Sequence, residues 1–131
     1  MTYSPGMRTC RVLLCDDQPE FLALLRAVLE SEQDFELVGE ARDGQDCVEQ
    51  ATELRPDLVL LDLNMPRMNG FEALPLLREK VPDTWVVVLT TARAKDNEAR
   101  VRALGAAGFV EKATNVFDLP SAIRAQLDHA A

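Results

Sequence analysis

A chain of 131 residues, 47% hydrophobic and 27% charged, is long enough for one domain with a real core and has an ordinary globular composition. A net charge of −8, from 22 acidic against 14 basic residues, argues against gripping nucleic acid through a basic face. No apolar run approaches the ~20 residues that span a bilayer. The three cysteines, Cys10, Cys15 and Cys47, have no metal-type spacing; the odd count and the lack of a signal peptide lead to the expectation of a cytoplasmic protein with reduced, buried, inert thiols.

Residues 1–8 carry Ser4, Pro5 and Gly6 without periodicity and read as a flexible tail, leaving 9–129 as a single domain. Residues 11–15, apolar on both faces, read as a strand. Phe21, Leu22, Leu25, Val28 and Leu29 recur at spacings of three and four, which predicts a helix over 19–31, with Pro19 suited to its first turn. Phe35 to Gly39 reads as the second strand. A helix over 44–55 turns Cys47, Val48, Ala51 and Leu54 inward, and Pro56 ends it. Residues 57–61 form the third strand, followed by a loop punctuated by Pro66, Asn69 and Gly70. A helix follows over 70–80, in which Pro75 predicts a kink or a short first turn. Trp85 to Leu89 is the clearest β-branched run. A helix over 95–104 ends at Gly105, Gly108 to Glu111 is the fifth strand, and 117–128 the last helix, with Leu119, Ile123 and Leu127 on one stripe.

Fivefold strand–helix alternation implies a parallel sheet with helices on both faces, an α/β doubly wound fold. In such sheets ligands bind beyond the carboxyl ends of the strands, at the switch in strand order. Asp16 and Asp17 follow the first strand, Asp62 the third, Thr90 the fourth and Lys112 the fifth. Three carboxylates crowded at one edge are costly unless a cation or a proton compensates them. Hard oxygen ligands suit Mg²⁺ (or Mn²⁺), an aspartate can accept a phosphoryl group as an acyl phosphate, and Lys112 and Thr90 can neutralise and hydrogen-bond its oxygens. The sole histidine, His129, stands near the C-terminal end and is given no catalytic role.

Four stretches carry a resemblance: Leu13-Leu14-Cys15-Asp16-Asp17, Asp62 to Gly70, Val88 to Ala92, and Gly105 to Lys112. In this order and on these strands, the chain resembles the receiver domain of bacterial two-component response regulators, the family typified by CheY, in the style of the NarL/FixJ branch. The resemblance implies a flavodoxin-like (βα)5 fold with strand order 2-1-3-4-5. It implies Asp62 as phosphoacceptor, with Asp17, Asp62 and the main-chain carbonyl of Asn64 on the Mg²⁺ and Asp16 acting through water. Thr90 and Lys112 would contact the phosphoryl group, and Thr90 and Phe109 would form the switch. Phosphorylation would draw Thr90 inward, let Phe109 rotate from exposed to buried, and alter the face made by the fourth helix, fifth strand and fifth helix. The implied partners are a histidine kinase or histidine phosphotransfer protein and a downstream protein, without direct nucleic-acid or membrane contact and with homodimerisation on phosphorylation. On this reading the chain is a phosphorylation-dependent signalling switch and not a turnover enzyme.

Three positions depart from the family pattern. Ala113 follows Lys112 where proline is common, which puts the family's cis bond in doubt, because a non-proline cis peptide costs about 2.5–4 kcal/mol. Thr91 stands where a smaller residue is common, and Phe109 replaces the usual tyrosine. Two rival readings fit part of the pattern. A haloacid-dehalogenase-type phosphatase would need its nucleophile after the first strand and a general acid at Asn64, which cannot serve. A degenerate receiver used only for protein binding would normally lack part of the acid site.

Overall fold

Short apolar runs that alternate with amphipathic stretches bury both sheet faces at once. In the computed structural model, which describes residues 9–91, 97–112 and 115–130, the strands are β1 (Cys10–Cys15), β2 (Phe35–Ala41), β3 (Leu58–Asp62), β4 (Trp85–Thr90) and β5 (Gly108–Glu111). The helices are α1 (Pro19–Glu30), α2 (Gly44–Leu54), α3 (Gly70–Lys80), α4 (Glu98–Ala103) and α5 (Leu119–Ala130), the last preceded by a 3-10 turn (Val116–Asp118). All pairings are parallel and the order is β2-β1-β3-β4-β5, the flavodoxin-like arrangement expected. The expected tail 1–8, the start of the expected helix at 95–96, and Ala92 and Ala113 lie outside the described residues.

Strand alternation splits the core in two. Leu13, Cys15, Val59, Leu61, Val86, Val88 and Phe109 face α2, α3 and α4. Val12, Leu14, Leu58, Leu60, Val87, Leu89 and Val110 face α1 and α5. Each fully buried Leu or Val contributes roughly 1.5–3 kcal/mol by leaving water, so these two layers fix the sheet on which the site stands.

Local chemistry sets the helix starts. Asp43 caps α2 by accepting from the Asp46 N–H at 2.8 Å, and Asn69 and Glu72 form a reciprocal capping box on α3. α3 then runs unbroken through Pro75, which is exposed; the capped first turn and the buried stripe of Ala73, Leu74 and Leu77 outweigh the one hydrogen bond proline removes. β2 continues two residues past the expected Gly39, paired with β1 as far as Ala41. Gly105 ends α4 with φ +106°, where a side chain would be strained.

The cysteines differ from expectation. Cys15 and Cys47 form a disulfide with Cα atoms 6.0 Å apart, while Cys10 is buried outside that bond. The two meet because Cys15 points to the α2 side of β1 and Cys47 lies on the inward stripe of α2.

Candidate functional site

Register brings the acids together. Cys15 pairs with Leu61, so Asp16 stands level with Asp62, which itself pairs with Leu89. Asp16 extends the ladder by donating its N–H to the Ala41 carbonyl at 3.0 Å. Asp16, Asp62 and Lys112 continue the alternation of Leu14, Leu60 and Val110, so all three leave the sheet edge on the α1/α5 side. Lys112 is held there by its own N–H, which donates to the Thr90 carbonyl at 2.6 Å.

Carboxylate oxygens of Asp16, Asp17 and Asp62 all lie within 4.8 Å of one another. Asp16 and Asp62 are buried, and Asp17 is exposed at the rim. The Lys112 ammonium, only 10% exposed, forms ion pairs with Asp16 Oδ2 and, at 3.5 Å, with Asp62 Oδ2. One cation against three carboxylates leaves an excess of negative charge. Burial and the Asp16 charge push the Asp62 carboxyl up to about 6, against the opposing pull of Lys112 and the Asn64 backbone N–H. Asp16 Oδ2 is buried and accepts no well-aligned hydrogen bond, although Lys112 lies close. An under-satisfied buried carboxylate oxygen, converging with two more carboxylates, fits a hard divalent cation. Asn64 is exposed two residues after Asp62, with its backbone N–H directed at that carboxylate.

Thr90 is buried at the end of β4, and Phe109 lies on the same sheet face, paired with Val88. Phe109 is 8% exposed. The structure therefore holds the inward position of this ring, whereas the exposed position expected of a resting state is not the one seen.

Several residues around the site carry no signal in the sequence. Gln18 accepts from the Lys112 ammonium through Oε1 at 3.1 Å, and the Phe21 ring lies beneath the same ammonium, 4.6 Å from its centroid. Gln18 reads only as a polar residue before a helix, and Phe21 only as part of an apolar stripe. Arg67, in left-handed backbone with φ +64°, donates through Nε and Nη2 to Asp43 Oδ2 at 3.0 and 2.7 Å. The Gly44 N–H donates to the Met68 carbonyl at 2.8 Å. Together these bonds tie the loop after Asp62 to the start of α2. The loop fits tightly: a Cβ at Gly44 would sit 2.3 Å from the Met68 carbonyl oxygen, and one at Gly70 would sit 2.4 Å from that of Asp62.

Residues 12–124 match the model of the response regulator receiver domain. The chain belongs to the response regulator receiver domain family. This receiver domain is 40% identical over 111 residues to a protein-glutamate methylesterase/protein-glutamine glutaminase of Maricaulis maris, covering 83% of the chain and 28% of the relative. It is 37% identical over 115 residues to the transcriptional regulatory protein YxjL of Bacillus subtilis, covering 88% of the chain and 53% of that protein. It superposes on the signal receiver domain of the response regulator NarL from Mycobacterium tuberculosis with a TM-score of 0.79 at 31% identity, covering 94% of the chain and 97% of that domain. The chain thus spans between about a quarter and a half of the length of the curated relatives it matches. Receiver domains interact with histidine kinases, and family membership supports a phosphorylation-dependent signalling role. Among the described residues no helix is long and apolar enough to cross a membrane.

Proposed function

We propose that this receiver domain, over about residues 9–129, accepts a phosphoryl group on Asp62 from a phosphohistidine donor, in the presence of Mg²⁺, and passes the signal by changing its α4-β5-α5 face. The observation that carries the reading is the buried Asp16–Lys112–Asp62 arrangement at the carboxyl edge, with Asp17 at its rim. Asp62 Oδ is the nucleophile, and burial that raises its proton affinity also keeps bulk water away from it. Asp17, Asp62 and the Asn64 carbonyl would hold the cation, with Asp16 acting through water. When bound, the cation supplies positive charge against phosphoryl oxygens. Lys112, already within reach of Asp62, neutralises another oxygen of the incoming group, and the Thr90 hydroxyl donates to a third. Drawing Thr90 toward the phosphoryl group alters the side of β4 against which Phe109 packs, which couples the site to α4 and β5.

The chain acts here as a switch that turns over its own acyl phosphate and not an external substrate. A histidine kinase or histidine phosphotransfer protein is the donor, a downstream protein reads the altered face, and a homodimer forms on phosphorylation. A cytoplasmic location, without direct contact to nucleic acid or membrane, belongs to the same reading. The test is uptake of acid-labile phosphate from acetyl phosphate with Mg²⁺. Uptake is expected in the parent protein and lost in Asp62→Asn; undiminished labelling of that variant refutes the acceptor assignment.

A further inference from the structure

We infer that Cys15 and Cys47 form a reversible redox modification site whose state sets how tightly the neighbouring acidic pocket binds a divalent cation. The inference rests on the reading of Asp16, Asp17 and Asp62 as cation ligands. Cys15 is the last residue of β1, directly before Asp16. Cys47 lies in the first turns of α2. Both sulfurs are fully buried in one apolar cluster, and the Cα separation of 6.0 Å lies within the range a disulfide spans. Cys10 lies on the opposite face of the sheet, outside this bond.

The bond has a mechanical consequence. It ties the last residue of β1, directly before Asp16, to the first turns of α2. α2 is the element free to move, because β1 lies between two other strands. The start of α2 has no slack against the loop after Asp62, since Gly44 leaves no room for a side chain beside Met68 and Asp43 grips Arg67. Reduction therefore releases the tie that steadies the loop carrying Asn64, while oxidation clamps β1, α2 and that loop in the arrangement that gathers the three carboxylates.

The chemistry is thiol–disulfide exchange with a low-molecular-weight disulfide, entered when the first turns of α2 open locally. One cysteine thiolate attacks a sulfur of the external disulfide, forming a mixed disulfide and expelling one thiolate. The second cysteine thiolate attacks the protein sulfur of that mixed disulfide and expels the other. Two protons from the cysteines end on the two released thiols, and the external disulfide takes up the two electrons.

The full chain is treated with oxidised glutathione or with dithiothreitol and freed of reagent. Each form is denatured and alkylated, and its mass is measured; in parallel, Mg²⁺ affinity is measured on the folded protein by calorimetry. The reduced chain is expected to take up three alkyl groups and the oxidised chain one, on Cys10. The oxidised form is expected to bind Mg²⁺ at least about fivefold more tightly, the lower end of coupling between two sites. Cys47→Ala, and independently Cys15→Ala in case the first does not fold, is expected to bind Mg²⁺ with an affinity that no longer responds to oxidised glutathione. Three alkyl groups on the oxidised chain overturn the inference, as does equal affinity in the two forms. Equal, measurable affinity leaves the acceptor reading of Asp62 standing, whereas no Mg²⁺ binding in either form overturns both.

Discussion

Asp62 shows what it costs to bury a carboxylate beside another carboxylate. Its carboxyl is raised from 3.8 to about 6, chiefly by burial and then by the Asp16 charge. Because the folded-state value lies above the unfolded one, the folded protein binds more protons between these two values, and stability rises as pH falls from 7 toward 4. Below that window the sign reverses, because Asp43, held under its ordinary value chiefly by the Asp46 backbone N–H, must take up a proton as the chain acidifies. The expected outcome in a chelator is a thermal midpoint that climbs between pH 7 and pH 5 in the parent and is flat over that range in Asp62→Asn, which is also the more stable protein at pH 7. A parent midpoint that falls steadily through this range contradicts the charge balance drawn here. Lys112 illustrates the same economy from the cationic side. It is restrained by Asp16, Asp62, Gln18 and the Phe21 ring before any phosphoryl group arrives. Gln18→Ala removes one hydrogen bond worth about 0.5–1 kcal/mol, so phosphate uptake from acetyl phosphate is expected to slow only about two- to fivefold. Lys112→Ala removes the charge aimed at the phosphoryl oxygen and is expected to cost about a hundredfold or more. Rates of uptake in the two variants, taken at saturating Mg²⁺, separate the positioning residue from the one that touches the reacting group.

At the scale of elements, the pieces that approach the site differ in how they are held. β1 and β3 are fixed by pairing on both edges, whereas the loop from Asn64 to Asn69 depends on its ties to α2. Asp43→Ala removes the α2 cap and the Arg67 latch together, with an expected loss of about 1 kcal/mol of stability from the cap and weaker Mg²⁺ binding. Arg67→Ala removes the latch alone and is expected to weaken Mg²⁺ binding with little change in thermal midpoint. Calorimetric titration beside thermal melts distinguishes the two, and equal Mg²⁺ affinity in parent and Arg67→Ala refutes the latch. The acids, Thr90 and Lys112 were legible in the sequence because each stands at or just after the end of a stretch that reads as a strand, and a parallel sheet delivers all such ends to one edge. That Asp16, Asp62 and Lys112 share a side emerged only with the strand register and the two core layers. The latch was not legible, because an arginine in a polar loop and an aspartate before a helix carry no sign of their distance in space. The disulfide was hidden for a related reason: its cysteines are 32 residues apart, and each reads alone as an ordinary core position. At Pro75 local propensity predicted a kink or a short first turn, whereas α3 is assigned from Gly70 to Lys80 with the proline inside it and a buried stripe beside it.

For the whole molecule, the acidic site lies where Lys112, after β5, meets Gln18 and Phe21 at the start of α1. Leu24 on α1 and Phe117 in the 3-10 turn before α5 are large apolar side chains left 54% and 78% exposed. Both stand on elements that follow strands bearing the gathered residues, and α1 packs against the 3-10 turn. On the proposed function, a small phosphodonor would need only Asp62, Lys112, Thr90 and the cation, whereas a phosphohistidine protein would also have to seat its own surface. Exposed apolar side chains beside a polar pocket are the kind that anchor such contacts. Phe117→Ala and Leu24→Ser are therefore expected to slow transfer from a histidine phosphotransfer protein about tenfold, corresponding to roughly 1.4 kcal/mol of docking energy. They are expected to leave uptake from acetyl phosphate and the thermal midpoint close to those of the parent. Parallel transfer assays with the two donors decide the point: equal slowing with both places these side chains in the site itself, and no slowing with either removes them from the donor surface.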